Sequence, residues 1–350
     1  MAAAPTDRSP LAALLRAWLL LLLAGATPLA AQTGPNADEA KRYRKELAPG
    51  VELEKRTAAI ENVAFYDLVG THKLLMEHLI ASLKEVEQLE AERDEIDSKL
   101  EKILRAPLEK GAKGGTPNYS GVDELQGDQK VLGAKIGLEE KAIRAYVEAF
   151  KRAKKPDTIE YLMAAPPKKP ERLRLLLLEV LGEIDNGRVA EHLIGLLDDP
   201  MVEVRLAVAA ALLKQQPEFV PSAALAPLLR GPEWQERSLA IDALCRIGDK
   251  TALELLVHQT AKETGKNLAD LCGRLEQVTG QKFGKVPAAW VDWWQKSKDA
   301  FQSRGIDISQ PAQVSKQDGK YASFFKIRFD SLKVVYIIDI SGSMLAAVDD

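Results

Sequence analysis

Two stretches decide how the chain folds: DDPMVEVRLAVAAALL at 198–213 and RGPEWQERSLAIDALC at 230–245. Laid over one another at an offset of 32, they bring Pro200 to Pro232, Arg205 to Arg237, Ala211 to Ala243 and Leu212 to Leu244, with apolar positions matching between. A weaker copy, PERLRLLLLEVLGEI, lies upstream, with Arg174 and Leu181 standing 31 positions before Arg205 and Leu212. Self-similarity at this spacing predicts stacked helix pairs, because one pair cannot bury its apolar face alone. Each copy opens at a proline, whose missing N–H is harmless at a helix start, and closes in a polar or Gly-containing turn such as EIDNGR or RIGDK. The Ala-rich VRLAVAAALL predicts buried core, since small side chains let neighbouring helices approach closely.

Asp199, Val204, Arg205, Val208 and Ala211 carry a phrase that resembles the HEAT-type repeat, particularly its short bacterial form. The resemblance covers about 170–262 and implies a right-handed stack of α-hairpins, a scaffold for protein contacts rather than for catalysis. Beyond it comes LEQVTGQKFGKVPAAWVDWWQKS at 275–297, where Trp290, Trp293 and Trp294 share one helix face and TGQKFG forms the loop leading in. A tryptophan face can hold a glycan, but aromatics bury so much area that a cluster capping the helical stack is the commoner use. This segment is similar to one found upstream of von Willebrand factor type A domains in exported bacterial proteins.

Upstream of the repeats, Leu75, Leu79, Leu83, Val86, Leu89, Ile96, Leu100 and Ile103 fall three, four or seven apart, along one stripe of a helix. A second stripe runs through Leu125, Leu132, Ile136, Ile143, Val147 and Phe150, and KGAKGGTPNYSG at 110–121 separates the two. The pattern predicts a coiled-coil-like antiparallel hairpin over 40–155, with two arms of about 30 residues and a length of about 45 Å. It is a spacer or packing arm, or it presents its tip to a partner. The basic KRAKK at 151–155 and PPKKPER at 166–172 are interleaved with prolines and flanked by Glu148, Asp157 and Glu171, so they read as a solvated hinge, with a linker at 156–170.

At the far end, FFKIRF at 324–329 and KVVYIIDI at 333–340 read as two strands, the second apolar throughout as in a parallel sheet buried on both faces. At its carboxyl end stand Asp339, Ser341 and Ser343. This resembles the first strand and the metal-ion-dependent adhesion motif DxSxS of a von Willebrand factor type A domain. The resemblance implies a divalent cation such as Mg²⁺, held by the Ser341 and Ser343 hydroxyls, with Asp339 acting through water or orienting the shell. Hard oxygen donors at a strand end of a doubly wound sheet suit that ion. The family's remaining ligands, a Thr and an acidic residue from later loops, fall beyond residue 350, so the expectation is a truncated type A domain over 323–350 and a cation only where that domain is complete. The spacings of an aspartic protease, a hydrolase elbow and a P-loop are all absent here.

Arg8 and Arg16 precede an apolar core from Ala17 to Ala26, and small or aliphatic residues follow at Leu29, Ala30 and Ala31, which together predict a secretory signal peptide over 1–31. A membrane anchor is the alternative, but Thr27 and Pro28 interrupt the run short of the roughly 20 apolar residues of a span. Removing Arg8, Arg16 and Asp7 takes the net charge from −3 to −4, so the mature chain offers no general basic surface for nucleic acid. Cys245 and Cys272 could pair, but two buried thiols are the commoner state for such helical positions, and none of His72, His78, His192 or His258 stands in a metal or triad spacing.

The expected architecture is therefore mainly α. The signal peptide (1–31), hairpin (40–155) and linker (156–170) lead to HEAT-like repeats with their Trp-rich capping helix (171–300), a second linker (301–322) and the opening of a type A domain (323–350). The expected protein is not an enzyme. It is an exported scaffold, in the periplasm, cell envelope or extracellular space, that contacts protein partners through Asp339, Ser341 and Ser343 and their cation, without a membrane span in the mature chain. The alternative is a purely structural envelope protein that uses no metal.

Overall fold

The computed structural model describes residues 34–109, 121–164, 171–302, 305–306, 322–324 and 327–329, over which the chain is mainly helical. It forms two compact units that divide between His192 and Leu193. The division falls inside the 171–300 stretch, after the weaker copy of the repeat.

The first unit opens with α1 (Ala37–Glu46), started by a reciprocal cap in which Glu39 N–H donates to Asn36 Oδ1 (2.9 Å) and Asn36 N–H to Glu39 Oε2 (3.0 Å). There follow α2 (Leu53–Ala64), α3 (Val69–Glu109), α4 (Val122–Phe150), α5 (Pro156–Ala164), α6 (Glu171–Glu183) and α7 (Gly187–Ile194), the last turn of which contains the division between the units. The two predicted stripes form the seam between α3 and α4: Leu75, Leu79, Leu83, Val86, Leu89 and Leu100 are buried on one arm, and Leu132, Ile136, Ile143, Val147 and Phe150 on the other. The arms run antiparallel, with Gln129 Nε2 donating to Asp97 Oδ1 (2.6 Å) toward the tip and the His72 ring 5.6 Å from Phe150 at the base.

Two features depart from expectation. The arms are unequal, 41 residues in α3 against 29 in α4, because α3 starts as early as Val69 and also packs on α2 and α5. The first part of the expected linker is helix α5, which buries Thr158, Ile159 and Leu162; the surrounding prolines and lysines hid its apolar face from a composition-based reading.

A buried ion pair ties α2 to α4. Arg56 donates through Nη1 to Glu139 Oε1 (3.0 Å) and through Nη2 to Glu139 Oε2 (2.8 Å), while Nη1 also reaches the Ala48 carbonyl (3.2 Å). Gly50 N–H donates to Glu139 Oε1 (3.1 Å) and the Tyr146 hydroxyl to the Leu47 carbonyl (2.8 Å), so the turn between α1 and α2 has its polar groups answered from α2 and α4.

The second unit contains α8 (Val202–Leu212), 3₁₀ turns at Pro217–Phe219 and Ser222–Leu225, α9 (Ala226–Leu229), α10 (Trp234–Ile247), α11 (Lys250–Gln259), α12 (Gly265–Thr279) and α13 (Pro287–Ser297). Helix α10 is central, packing on α8, α9, α11 and α12. The RIGDK turn works as predicted: Gly248 at φ +64° ends α10, and Asp249 Oδ1 accepts Ala252 N–H (2.6 Å) to start α11 at once. Pro200 and Pro232 each stand two residues ahead of their helices, at Val202 and Trp234, rather than in the first turn. Farther on, Ile306 N–H donates to the Cys245 carbonyl (3.2 Å), and a Cβ on Gly305 would overlap the Arg246 carbonyl. The expected single strand at 324–329 is instead split: Ala322–Phe324 and Ile327–Phe329 pair antiparallel with Phe324 opposite Ile327. The expected strand at 333–340 lies outside the described residues.

His72 gives the first unit a pH dependence. It is 1% exposed, its Nδ1 is 3.1 Å from the Leu68 carbonyl, and its Nε2 is 4.0 Å from Asp67 Oδ1. Burial holds the imidazole below its ordinary value, a shift that the Leu68 carbonyl and the Asp67 carboxylate only partly oppose. The unfolded chain therefore takes the proton first, and the unit loses stability as pH falls below about 6.5. Thermal unfolding followed by circular dichroism at pH 7.5 and 5.5 should show a drop in midpoint that shrinks in His72→Phe, with His78 and His192, also lowered by burial, supplying the remainder. An undiminished drop in the variant would remove His72 from this account.

Candidate functional site

Asp339, Ser341 and Ser343 lie outside the described residues, as does the segment 1–31. Among the described residues no three His, Cys, Asp or Glu side chains converge to hold a metal ion, and no helix is long and apolar enough to cross a membrane. The histidines are dispersed, His72 and His78 on α3, His192 on α7 and His258 on α11.

What the second unit does assemble is a ladder of ion pairs that follows the repeat. Arg205 donates through Nη1 to the carbonyls of Asp199 (2.8 Å) and Pro200 (3.3 Å) and through Nε to Glu236 Oε1 (2.7 Å) on α10. One repeat on, Arg237 donates through Nη1 to the carbonyls of Gly231 (2.9 Å) and Pro232 (2.8 Å) and through Nε to Glu263 Oε1 (2.8 Å). The matched Pro200 and Pro232 are thus the carbonyls that the matched arginines bind. Both carboxylates are buried, and Glu263 also accepts from Gln259 Nε2 (2.7 Å) and Asn267 Nδ2 (3.3 Å). A Cβ on Gly231, where the aligned copy has Asp199, would displace Glu236 Oε2.

A third contact, Arg274 Nε to Asp242 Oδ1 (3.1 Å), joins α12 to α10. Burial lifts the Asp242 carboxyl above its ordinary value, and Arg274 draws it back only in part. Cys245 and Cys272 are unpaired and buried; burial pushes Cys272 up to about 11 and Cys245 higher still, so both thiols stay protonated and unreactive near neutrality. The three tryptophans fall on α13 as the spacing predicts. Trp290 and Trp294 are buried and Trp293 is half-buried; Phe283 meets Trp290 edge-on at 5.0 Å, and Trp290 Nε1 donates to the Gly284 carbonyl (2.9 Å). Two of these rings are core, which leaves only Trp293 partly open to a ligand.

Sequence reasoning passed over Trp234, which is 55% exposed in the first turn of α10. Its signal was a tryptophan in the polar run EWQER, at the position where the aligned copy has Val202. An exposed tryptophan on a rigid helix is the kind of residue that anchors protein contacts.

The ladder makes a specific ordering of stabilities. Arg205→Met strands the buried Glu236 carboxylate and should cost about 3–5 kcal/mol. Glu236→Gln leaves Arg205, whose side chain is 17% exposed, still bonded to two carbonyls, and should cost about 1–2 kcal/mol. Tryptophan fluorescence in urea reads this unit directly, since of the five tryptophans Trp234, Trp290, Trp293 and Trp294 lie within it. Equal losses in the two variants would contradict the ladder.

The chain matches no protein-family model, and no curated protein compared with it is similar in sequence.

Proposed function

We propose that the protein is an exported, non-enzymatic scaffold in which HEAT-like repeats and a helical hairpin hold protein partners, with a von Willebrand factor type A element contributing a divalent cation through Asp339, Ser341 and Ser343. The observation that carries the scaffold reading is the recurrence of the Arg205 and Arg237 rungs with the same carbonyl partners one repeat apart, a device that fixes each helix pair against the next. The cation reading is supported by the donor set, one carboxylate and two hydroxyls, which is oxygen-only and suits Mg²⁺. When bound, the ion would supply an open coordination position for an acidic side chain of the partner. The apolar segment at 1–31 supports export. A second reading, a structural envelope protein that binds without metal, is favoured by Trp234, an exposed anchor that needs no ion.

Chemical cross-linking of the protein in its source, with Mg²⁺ or with EDTA, separates the two. A partner recovered with Mg²⁺, lost in EDTA and lost in Asp339→Ala supports adhesion through the cation. The same partner recovered in EDTA and from Asp339→Ala, but lost in Trp234→Ala, supports the metal-free scaffold. Recovery of no partner under any of these conditions counts against both.

A further inference from the structure

On one side of the α3–α4 hairpin lie two hollows, one of about 640 Å³ and one of about 380 Å³, that neighbour one another at Lys135, which lines both. Along this side α3 presents Glu85, Leu89, Glu92, Ile96 and Lys99, spaced alternately four and three apart. From 85 to 99 the row runs about 21 Å, or four helical turns. Leu89 and Leu132 are buried along the groove, while Val131 and Leu138 on α4 remain 54% and 49% exposed, so none of the described residues covers these apolar positions.

The fold already shows what fits there. Helix α2 packs on both α3 and α4, burying Ala59, Ile60 and Val63, and the larger hollow lies where α2 begins, at Leu53. The groove therefore continues the seat of α2 toward the tip of the hairpin, with the 3–4 spacing that receives the apolar stripe of a third helix. Its charge specifies the flanks of that helix. Arg56 is held by Glu139 and Lys99 by Glu95 (2.7 Å), which leaves Glu52, Glu54, Glu85, Glu92 and Asp128 against Lys135 alone. A second copy would bring the same acidic patch onto itself across a two-fold axis, an unfavourable match.

We propose that this groove docks an amphipathic α-helix of a protein partner, about four turns long, whose apolar stripe is flanked by Lys and Arg. The proposal rests on the scaffold reading, for which it names a surface and a partner chemistry, and is independent of the cation.

The test titrates the full chain into a fluorescein-labelled 18-residue peptide with Leu at every third and fourth position and Lys at the flanks. Two control peptides are used, one with Glu in place of Lys and one a scramble of the same composition. Saturable binding with a gain in helicity, at least tenfold tighter than to either control, is expected. The double variant Val131→Lys with Leu138→Lys should weaken it at least tenfold while the unfolding midpoint stays put, both side chains being half exposed. Equal binding of the scramble, or no effect of the double variant, overturns the proposal. So does a dimer in sedimentation that the double variant disperses, since the groove would then belong to a second copy. Asp339→Ala should leave peptide binding unchanged: loss of peptide binding in the Val131/Leu138 variant alone bears on the groove, and loss of Mg²⁺-dependent cross-linking in Asp339→Ala alone bears on the cation.

Discussion

A proline turn ahead of a helix leaves carbonyls that no intrahelical N–H reaches, and in the second unit an arginine one turn into the helix reaches back to take two of them. Arg205 does this for Asp199 and Pro200, and Arg237 for Gly231 and Pro232. The guanidinium has donors to spare in a fixed plane, so the same side chain also reaches forward, to Glu236 or Glu263. A lysine at either position could supply charge but not this geometry. The start of one helix pair and its docking onto the next are therefore set by one planar group, and displacing either partner disturbs both.

The first unit uses the same chemistry at long range. Arg56 and Glu139 are 83 residues apart, bonded through both nitrogens and both oxygens, and both are buried. A buried pair of this kind adds little net stability over well-packed apolar side chains, because desolvation offsets most of the attraction. Its value here is in position. The Glu139 carboxylate also accepts Gly50 N–H, and Arg56 also donates to Ala48, so the pair sets the register in which α2 lies on α4 and closes the turn that precedes it.

These two systems differ in how far the sequence reveals them. The arginines of the ladder are visible as a repeat, since Arg205 and Arg237 align at a constant offset with the prolines whose carbonyls they bind. Their acceptors are not: Glu236 lies 31 residues after Arg205 while Glu263 lies 26 after Arg237, because α11 and the 3₁₀–α9 segment that answer one another in the repeat differ in length. Arg56 and Glu139 left no trace, as isolated charges in helices already rich in Glu and Lys. The two stripes of the hairpin were legible in nearly every position, because helix periodicity is local and apolar burial obeys it. Helix α5 was missed, since a nine-residue helix flanked by prolines and lysines offers too short a period to outweigh its composition. Asp339, Ser341 and Ser343 remain legible only as a motif, since the described residues end short of them.

The seam of the hairpin also explains why apolar side chains remain at its surface. Two helices in contact can hide only the positions that face each other, a strip narrower than the apolar face of a helix built to sit among several neighbours. Near its base the hairpin meets α2, and Ala59, Ile60 and Val63 close the third side. Where α2 begins, that cover ends, yet α4 goes on placing Val131 and Leu138 beside the seam in the register a third helix would use. A sequence serving only a two-helix spacer has no need of apolar residues there, because polar ones at the same positions would cost nothing in the seam and improve solubility. The apolar pattern of α4 is thus wider than the described residues of the first unit require, and the excess lies along the two hollows that share Lys135, whose charged lining is mostly acidic.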